Sequence, residues 1–331
     1  MSALGETAQK LVADHKGILA ADESLPTIQK RFDLIGLENT LENRKAYREL
    51  LFTTPGMGEY ISGVILFDET LRAGLGKILQ DTGVTPGVKV DLGVVEINSK
   101  GEKITQGLDG LPERLKEYVG LGVKFAKWRA VFKIGSDTPS QTMIEANAHS
   151  LAQYAALCQQ AGIVPIVEPE VLMDGDHDLA KCEDVTRAVL TAVFVTLQDY
   201  QVDLSGILLK PNMVVVGKET TSKPSSTEIA ESTLSVLSRC VPAQVPGIVF
   251  LSGGMTPEES SVNLNAINQN KKNAPWGLSF SFGRALQEPV LKAWNGKEEN
   301  KEKAQAIFLH RCKMNYLARK GEYTAEAEKE I

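Results

Sequence analysis

Eight short apolar runs recur along the chain, most of them separated by a stretch of helical patterning. They are Gly17–Ala21, Ile61–Phe67, Gly87–Asp91, Lys124–Arg129, Ile163–Glu168, Gly206–Lys210, Gly247–Ser252 and Gly277–Ser281. Each is short and rich in aliphatic or aromatic residues, the pattern of parallel strands buried on both faces. Such alternation repeated about eight times predicts one closed (β/α)8 barrel. A doubly wound open sheet is the alternative, but no GxGxxG follows the first run. At roughly 150 residues per domain, 331 residues would make about two domains, yet a single α/β barrel also fills this length. We therefore expect residues 1–331 to form one barrel, closed by a C-terminal helix and short tail over about 299–331. Ala304, Ile307, Phe308 and Cys312 share one face of that last helix. Thr138-Pro139-Ser140-Gln141 and Thr256-Pro257-Glu258-Glu259 both read as capping boxes with Pro at the first helical position.

Composition narrows the functional classes. Lys and Arg number 36 against 42 Asp and Glu, a net charge of −6, so no basic footprint for nucleic acid or anionic membrane is expected. No run reaches the eighteen apolar residues of a membrane span. The first twenty residues carry Glu6 and Asp14 and lack the order of a signal peptide. A soluble cytoplasmic protein is expected. Cys158, Cys182, Cys240 and Cys312 include no CxxC pair, and the four histidines form no HExxH, so no metal site is expected. Cys158 falls on a helical stripe with Ile144, Ala148, Leu151 and Ala155, which reads as a buried small hydrophobe. Asp174-Gly175-Asp176-His177-Asp178 begins like an EF-hand loop. It has Leu179 where Gly is required and Val185 where the bidentate Glu belongs, so it reads as a turn with solvated charges.

In a barrel of this kind the reactive groups stand at the carboxyl ends of the strands. There the sequence places Asp22-Glu23-Ser24, Lys89 and Asp91, Lys127 and Arg129, Glu168 and Glu170, Lys210, Ser252-Gly253-Gly254, and Ser281-Phe282-Gly283-Arg284. One lysine at a strand end is ordinarily a snorkelling surface charge, and one carboxylate a turn former. Three lysines and several carboxylates at the same end of different strands are harder to explain as surface. Lys210 lies between Leu209 and Pro211, so its amine is expected in a partly dry mouth. Desolvation or a neighbouring cation such as Lys127 would favour the neutral amine, which can attack a carbonyl and form a Schiff base. Glu168 and Asp22 could then move protons. Ser252-Gly253-Gly254 and Gly283-Arg284 suit a phosphate, because glycines bring backbone N–H groups and helix N-termini close to an anion.

These residues sit in strings that resemble the class I, Schiff-base-forming fructose-1,6-bisphosphate aldolases. The strings are GILAADES (17–24), GLDGLPER (107–114), FAKWR (125–129), GIVPIVEPE (162–170), LLKPNMV (208–214), FLSGG (250–254), LNAINQ (264–269) and SFGRALQ (281–287). The resemblance implies a (β/α)8 barrel, a homotetramer, and reversible cleavage of fructose 1,6-bisphosphate to dihydroxyacetone phosphate and glyceraldehyde 3-phosphate in glycolysis and gluconeogenesis, without a cofactor. By matching motifs it implies Lys210 as the Schiff-base lysine and Glu168 as acid/base for carbinolamine formation and dehydration. Asp22 would be the acceptor of the C4 hydroxyl proton, with Lys127 as its electrostatic partner. Ser252, Gly253, Gly283 and Arg284 would hold the C1 phosphate, with Ser281 a further substrate-binding residue; Lys89, Arg31 and Ser24 would hold or flank the C6 phosphate; Arg129 and Glu170 would support them. Fructose 1-phosphate or sedoheptulose bisphosphate are other substrates for the same chemistry, and a non-catalytic binding barrel is the reading from another class. Two departures stand out. Leu25-Pro26-Thr27 replaces a stretch that carries Gly and Ser in many relatives, and Pro26 is expected to stiffen the loop. The sequence closes at Glu330-Ile331, soon after Tyr323, where animal relatives continue to a terminal Tyr that exchanges the enamine proton. Another group or water is expected to move that proton here.

Overall fold

The structure is a computed structural model, and it describes residues 2–330. Ten strands form: β1 (Gly17–Ala21), β2 (Ile61–Leu66), β3 (Thr85–Lys89), β4 (Val94–Glu96), β5 (Lys103–Thr105), β6 (Phe125–Phe132), β7 (Val164–Val171), β8 (Leu208–Leu209), β9 (Gly247–Phe250) and β10 (Gly277–Phe282). Eight of them close a parallel barrel in the order β1-β10-β9-β8-β7-β6-β3-β2. All eight expected runs are strands of this TIM barrel, within a few residues of their expected limits. β8 is the shortest because Pro211 has no N–H to extend the ladder, although the Lys210 amide still donates to the Val167 carbonyl at 2.8 Å.

Period-two alternation builds the interior. Ile18, Ala20, Ile65, Phe125, Val164, Ile166, Leu208 and Val249 form one buried apolar cluster inside the barrel. The opposite faces of the same strands, among them Leu19, Val64, Trp128, Val167, Ile248 and Phe280, pack against the surrounding helices in the larger cluster. A Cβ at Gly87 would overlap the Phe125 ring, which fills this narrow interior in its place. The lower end is plugged. The helix Ala3–Leu11 contributes Ala8 and Leu11, with Val12 following, to the interior cluster. Arg319, buried near the end of the helix Lys301–Lys320, donates to the Val12, Ala13 and Lys16 carbonyls at the close of that plug.

Three local expectations need correction. Ser140, not Thr138, caps the helix Gln141–Gln160, because Glu102 from across the fold accepts from both the Ser140 amide (2.6 Å) and its hydroxyl (2.9 Å). The last helix begins at Lys301 after a short 3-10 turn, with Ala304, Phe308 and Cys312 buried as expected. The Thr256 capping box forms as read, with Pro257 in the first turn. Cys158 is fully buried. The 174–178 segment is a loop in which Asp178 caps the next helix, but His177 is buried rather than solvated. An unexpected antiparallel hairpin, β4 and β5, stands beside the carboxyl end of β3.

Candidate active site

One step of two residues beyond the apolar layer, the same inward positions turn polar. Ala20 is followed by Asp22, Gly87 by Lys89, Phe125 by Lys127, Ile166 by Glu168, Leu208 by Lys210 and Ser279 by Ser281. Closure of the sheet brings all of them to one mouth. They line a cavity of about 570 Å³ together with Glu170, Arg129, Ser24, Arg31, Ser252, Gly253, Gly283 and Arg284. Every residue given a role by the family resemblance thus lines one space, whereas Gly254, also offered for the phosphate, does not.

At its floor is a buried chain of charges. Lys210 Nζ lies 3.0 Å from Glu168 Oε1, and Lys127 Nζ lies 3.2 Å from the other Glu168 oxygen. Lys127 also meets Asp22 at 2.8 Å and Asp91 at 4.0 Å. The two lysines therefore differ. Burial works against the Lys127 charge, but Asp22, Glu168 and Asp91 outweigh it and hold the ammonium above its usual range. Among the described residues Lys210 has one carboxylate partner, Glu168. Burial alone would raise the Asp22 carboxyl, yet Lys127, then Lys210 and Lys89, hold it far below the usual carboxylate range. Asp22 is thus an ionised acceptor beside a fixed ammonium.

Asp91, placed on the Lys89 face by the sequence but given no role there, proves central. It is buried, receives Lys89 at 2.6 Å, approaches Lys127, and accepts the Gly93 amide at 3.2 Å. Arg129 pairs with Glu170 on the neighbouring strand. Behind the wall, Glu23 is held by Arg48, by Arg31 at 2.5 Å and by Gln287 at 2.9 Å, all of it buried except the Arg31 edge. Burial would raise Glu23, but Arg31 and Arg48 bring it below its usual value. Glu23→Gln would strand the Arg48 guanidinium and is expected to cost about 3 kcal/mol. The depressed carboxyl contributes its stability above pH 4.5 and loses it as pH falls through the folded value. Urea denaturation should therefore show a gap between wild type and Glu23→Gln that is full at pH 7 and narrows below pH 4.5.

The two loops at the β9–β10 side carry glycines at tight backbone positions. Gly253 has φ +51°, and Gly283 caps the helix Arg284–Trp294, with a Cβ there only 3.2 Å from the Ala20 carbonyl. Arg284 bridges the loops by donating to the Met255 carbonyl at 2.7 Å. Opposite, Ser24 is the N-cap of the helix Leu25–Asp33, and its hydroxyl lies 3.0 Å from that of Thr27. Pro26 sits in the first turn, where its missing N–H costs nothing. Among the described residues no three His, Cys, Asp or Glu side chains gather as a metal site.

Comparison with known proteins agrees with this geometry. The profile of the glycolytic family described as fructose-bisphosphate aldolase class-I matches residues 3–331. The chain is 55% identical over 320 residues to "Fructose-bisphosphate aldolase 4, cytosolic" of Arabidopsis thaliana, covering 95% of this chain and 81% of that one. It is 54% identical to "Probable fructose-bisphosphate aldolase class 1" of Xanthomonas campestris pv. campestris, covering 97% and 98%. A solved structure of fructose-bisphosphate aldolase from Plasmodium falciparum, in complex with TRAP and a small-molecule inhibitor, superposes with a TM-score of 0.95 at 52% identity, covering 98% of this chain and 95% of that one. The chain belongs to the class I fructose-bisphosphate aldolase family.

Proposed function

We propose that Lys210 is the nucleophile with which this lyase reversibly cleaves fructose 1,6-bisphosphate, and that Glu168, Asp22 and Lys127 move or hold the protons. The observation that carries the assignment is the contrast between the lysines: Lys127 is locked by three carboxylates, whereas among the described residues Lys210 meets only Glu168, at 3.0 Å. The amine adds to the C2 carbonyl as Glu168 takes its proton, and Glu168 returns a proton to the departing hydroxyl as water leaves. The iminium then draws the electrons of the C3–C4 bond as Asp22 accepts the C4 hydroxyl proton. Glyceraldehyde 3-phosphate departs, leaving an enamine. Protonation at C3 and hydrolysis release dihydroxyacetone phosphate and restore Lys210. Lys127 keeps Asp22 ionised until it accepts the C4 hydroxyl proton.

The C1 phosphate is assigned to Ser252, Gly253, Ser281, Gly283 and Arg284, where two loop backbones and a helix N-terminus converge. The distal phosphate is assigned to Lys89, Arg31 and Ser24, with Thr27 beside them. Arg129 and Glu170 shape the wall between. The test is borohydride reduction with dihydroxyacetone phosphate in excess EDTA, followed by peptide mapping; an adduct on a lysine other than 210 sinks the assignment.

We further infer that residues 1–331 act as one catalytic domain in the cytoplasm, assembled as a homotetramer. Relatives are named cytosolic, and no described helix is long and apolar enough to cross a membrane. Exposed Val119 borders an apolar groove shared with Leu157 and Ala161, a surface suited to a neighbouring subunit. Light scattering should return about four times the 36.0 kDa chain mass.

A further inference from the structure

The peptide that joins Gly253 to Gly254 has no side chain on either flank, so little but its hydrogen bonds fixes the plane in which it lies. A trans peptide points its C=O and its N–H in opposite directions, and here both ends are held. The Gly253 carbonyl accepts from the guanidinium of Arg284, which lines the reaction cavity, at 3.4 Å. The Gly254 amide donates to the Met173 sulfur at 3.2 Å. Neither Gly254 nor Met173 lines the cavity, so this second hold comes from behind the loop. The same sulfur lies 3.5 Å from the point where a Cβ of Gly253 would stand.

Met173 itself is firmly seated. It stands two residues past β7, and its carbonyl accepts the Lys218 amide at 2.8 Å. The carbonyls of Gly175 and His177 accept the amides of Glu219 at 2.9 Å and Gly217 at 2.8 Å. The loop after β7 is thus sewn to the segment that follows Lys210. Lys218 in turn lies across Gly254, where a Cβ would overlap its Cε.

We propose that Met173 is a positioning residue for the C1 phosphate: its sulfur, through the Gly254 amide, holds the Gly253 peptide in the orientation that the phosphate meets. The inference rests on the assignment of the C1 phosphate to this loop. Without the sulfur the peptide can turn, and the phosphate must order the loop as it binds. Binding then weakens while the chemistry at Lys210 is left alone.

Met173→Leu keeps the bulk and removes the acceptor; Met173→Gln keeps the reach and offers an amide oxygen. Each is titrated with dihydroxyacetone phosphate and with dihydroxyacetone, which has no phosphate, and the Lys210 adduct is read after borohydride reduction. In Met173→Leu the half-saturating concentration of dihydroxyacetone phosphate is expected to rise about fivefold, and that of dihydroxyacetone to stay within about twofold. Met173→Gln should lie within about twofold of wild type for both. KM for fructose 1,6-bisphosphate, which needs no adduct, should rise about fivefold in Met173→Leu with kcat within about twofold.

Among the described residues Met173 is the only methionine that is not buried, so hydrogen peroxide can remove the acceptor from the unchanged chain. One oxygen passes to the sulfur, which is oxidised to the sulfoxide, and water leaves. Treated wild type should show the fivefold rise, and treated Met173→Leu no change beyond its own. A normal titration in wild type whose peptide mass confirms the sulfoxide at 173 overturns the proposal. So does an unchanged Met173→Leu, a Gln variant as weak as the Leu variant, or an equal loss for both ketones, which marks a merely structural role. Arg284→Ala tells this failure from that of the phosphate assignment. If it loses dihydroxyacetone phosphate while Met173→Leu does not, only the Met173 proposal falls; if it too binds both ketones as wild type does, the assignment falls as well.

Discussion

Lys210→Ala is expected to lower kcat for fructose 1,6-bisphosphate cleavage by at least about 10,000-fold and to abolish the borohydride adduct, because no other amine at the mouth can replace it. Lys127 is the nearest alternative, but its ammonium is committed to Asp22 at 2.8 Å and Glu168 at 3.2 Å. Removing Lys210 leaves Glu168 with Lys127 still in contact, so the fold should persist, as far-UV circular dichroism would check. Substantial residual turnover in folded Lys210→Ala, or an adduct moved to Lys127, would transfer the nucleophile's role to the neighbouring strand.

Asp22→Asn separates the two halves of the reaction. The amide cannot accept the C4 hydroxyl proton, so cleavage should fall by about 100- to 1,000-fold. Dihydroxyacetone phosphate has no C4, and its condensation with Lys210 needs only Glu168 at 3.0 Å. The adduct with this three-carbon ketone should therefore still form at near wild-type yield. Rapid-quench cleavage rates and trapping yields measured on the same preparation decide the matter. Parallel loss of both would place Asp22 in the first step instead.

The C-terminal segment is bound more firmly than a dispensable tail. The Tyr323 amide donates to Asn265 at 3.0 Å, and Glu328 pairs with the buried Arg311. Deleting residues 322–331 would leave Arg311 without its only carboxylate among the described residues. A lower thermal midpoint, by several degrees, is the expected result.

The barrel and its mouth were legible in the sequence for one reason. The period of two that makes a strand's inward face apolar also fixes which residue emerges at its end, so Ile166 pointed to Glu168 and Leu208 to Lys210. The β4–β5 hairpin was less legible because its strands are short and β4 is exposed on both faces. Its signal was present in Asn98-Ser99-Lys100-Gly101, where the Asn98 side chain accepts the Lys100 amide at 3.1 Å and Gly101 turns at φ +72°. The Thr138 cap was misread because a distant carboxylate, Glu102, decided the helix start, and local spacing carries no trace of that partner. Asp91 was seen beside Lys89 but not ranked, since its weight comes from two lysines together, Lys89 on its own strand end and Lys127 on the neighbouring strand. The plug helix and its Arg319 clasp join segments about 300 residues apart, beyond the reach of any pattern in a short window.

That clasp has a consequence for how the protein is made. β1 pairs with β2 on one edge and with β10 on the other, and Arg319 grips the Val12 and Lys16 carbonyls from the last long helix. A nascent chain leaving the ribosome carries β1 with one bare edge until residues 277–282 have emerged, and its plug stays loose until residue 319 follows. Closure is therefore an event at the end of translation, and the half-made barrel with its open edge is the species that a chaperone must shield.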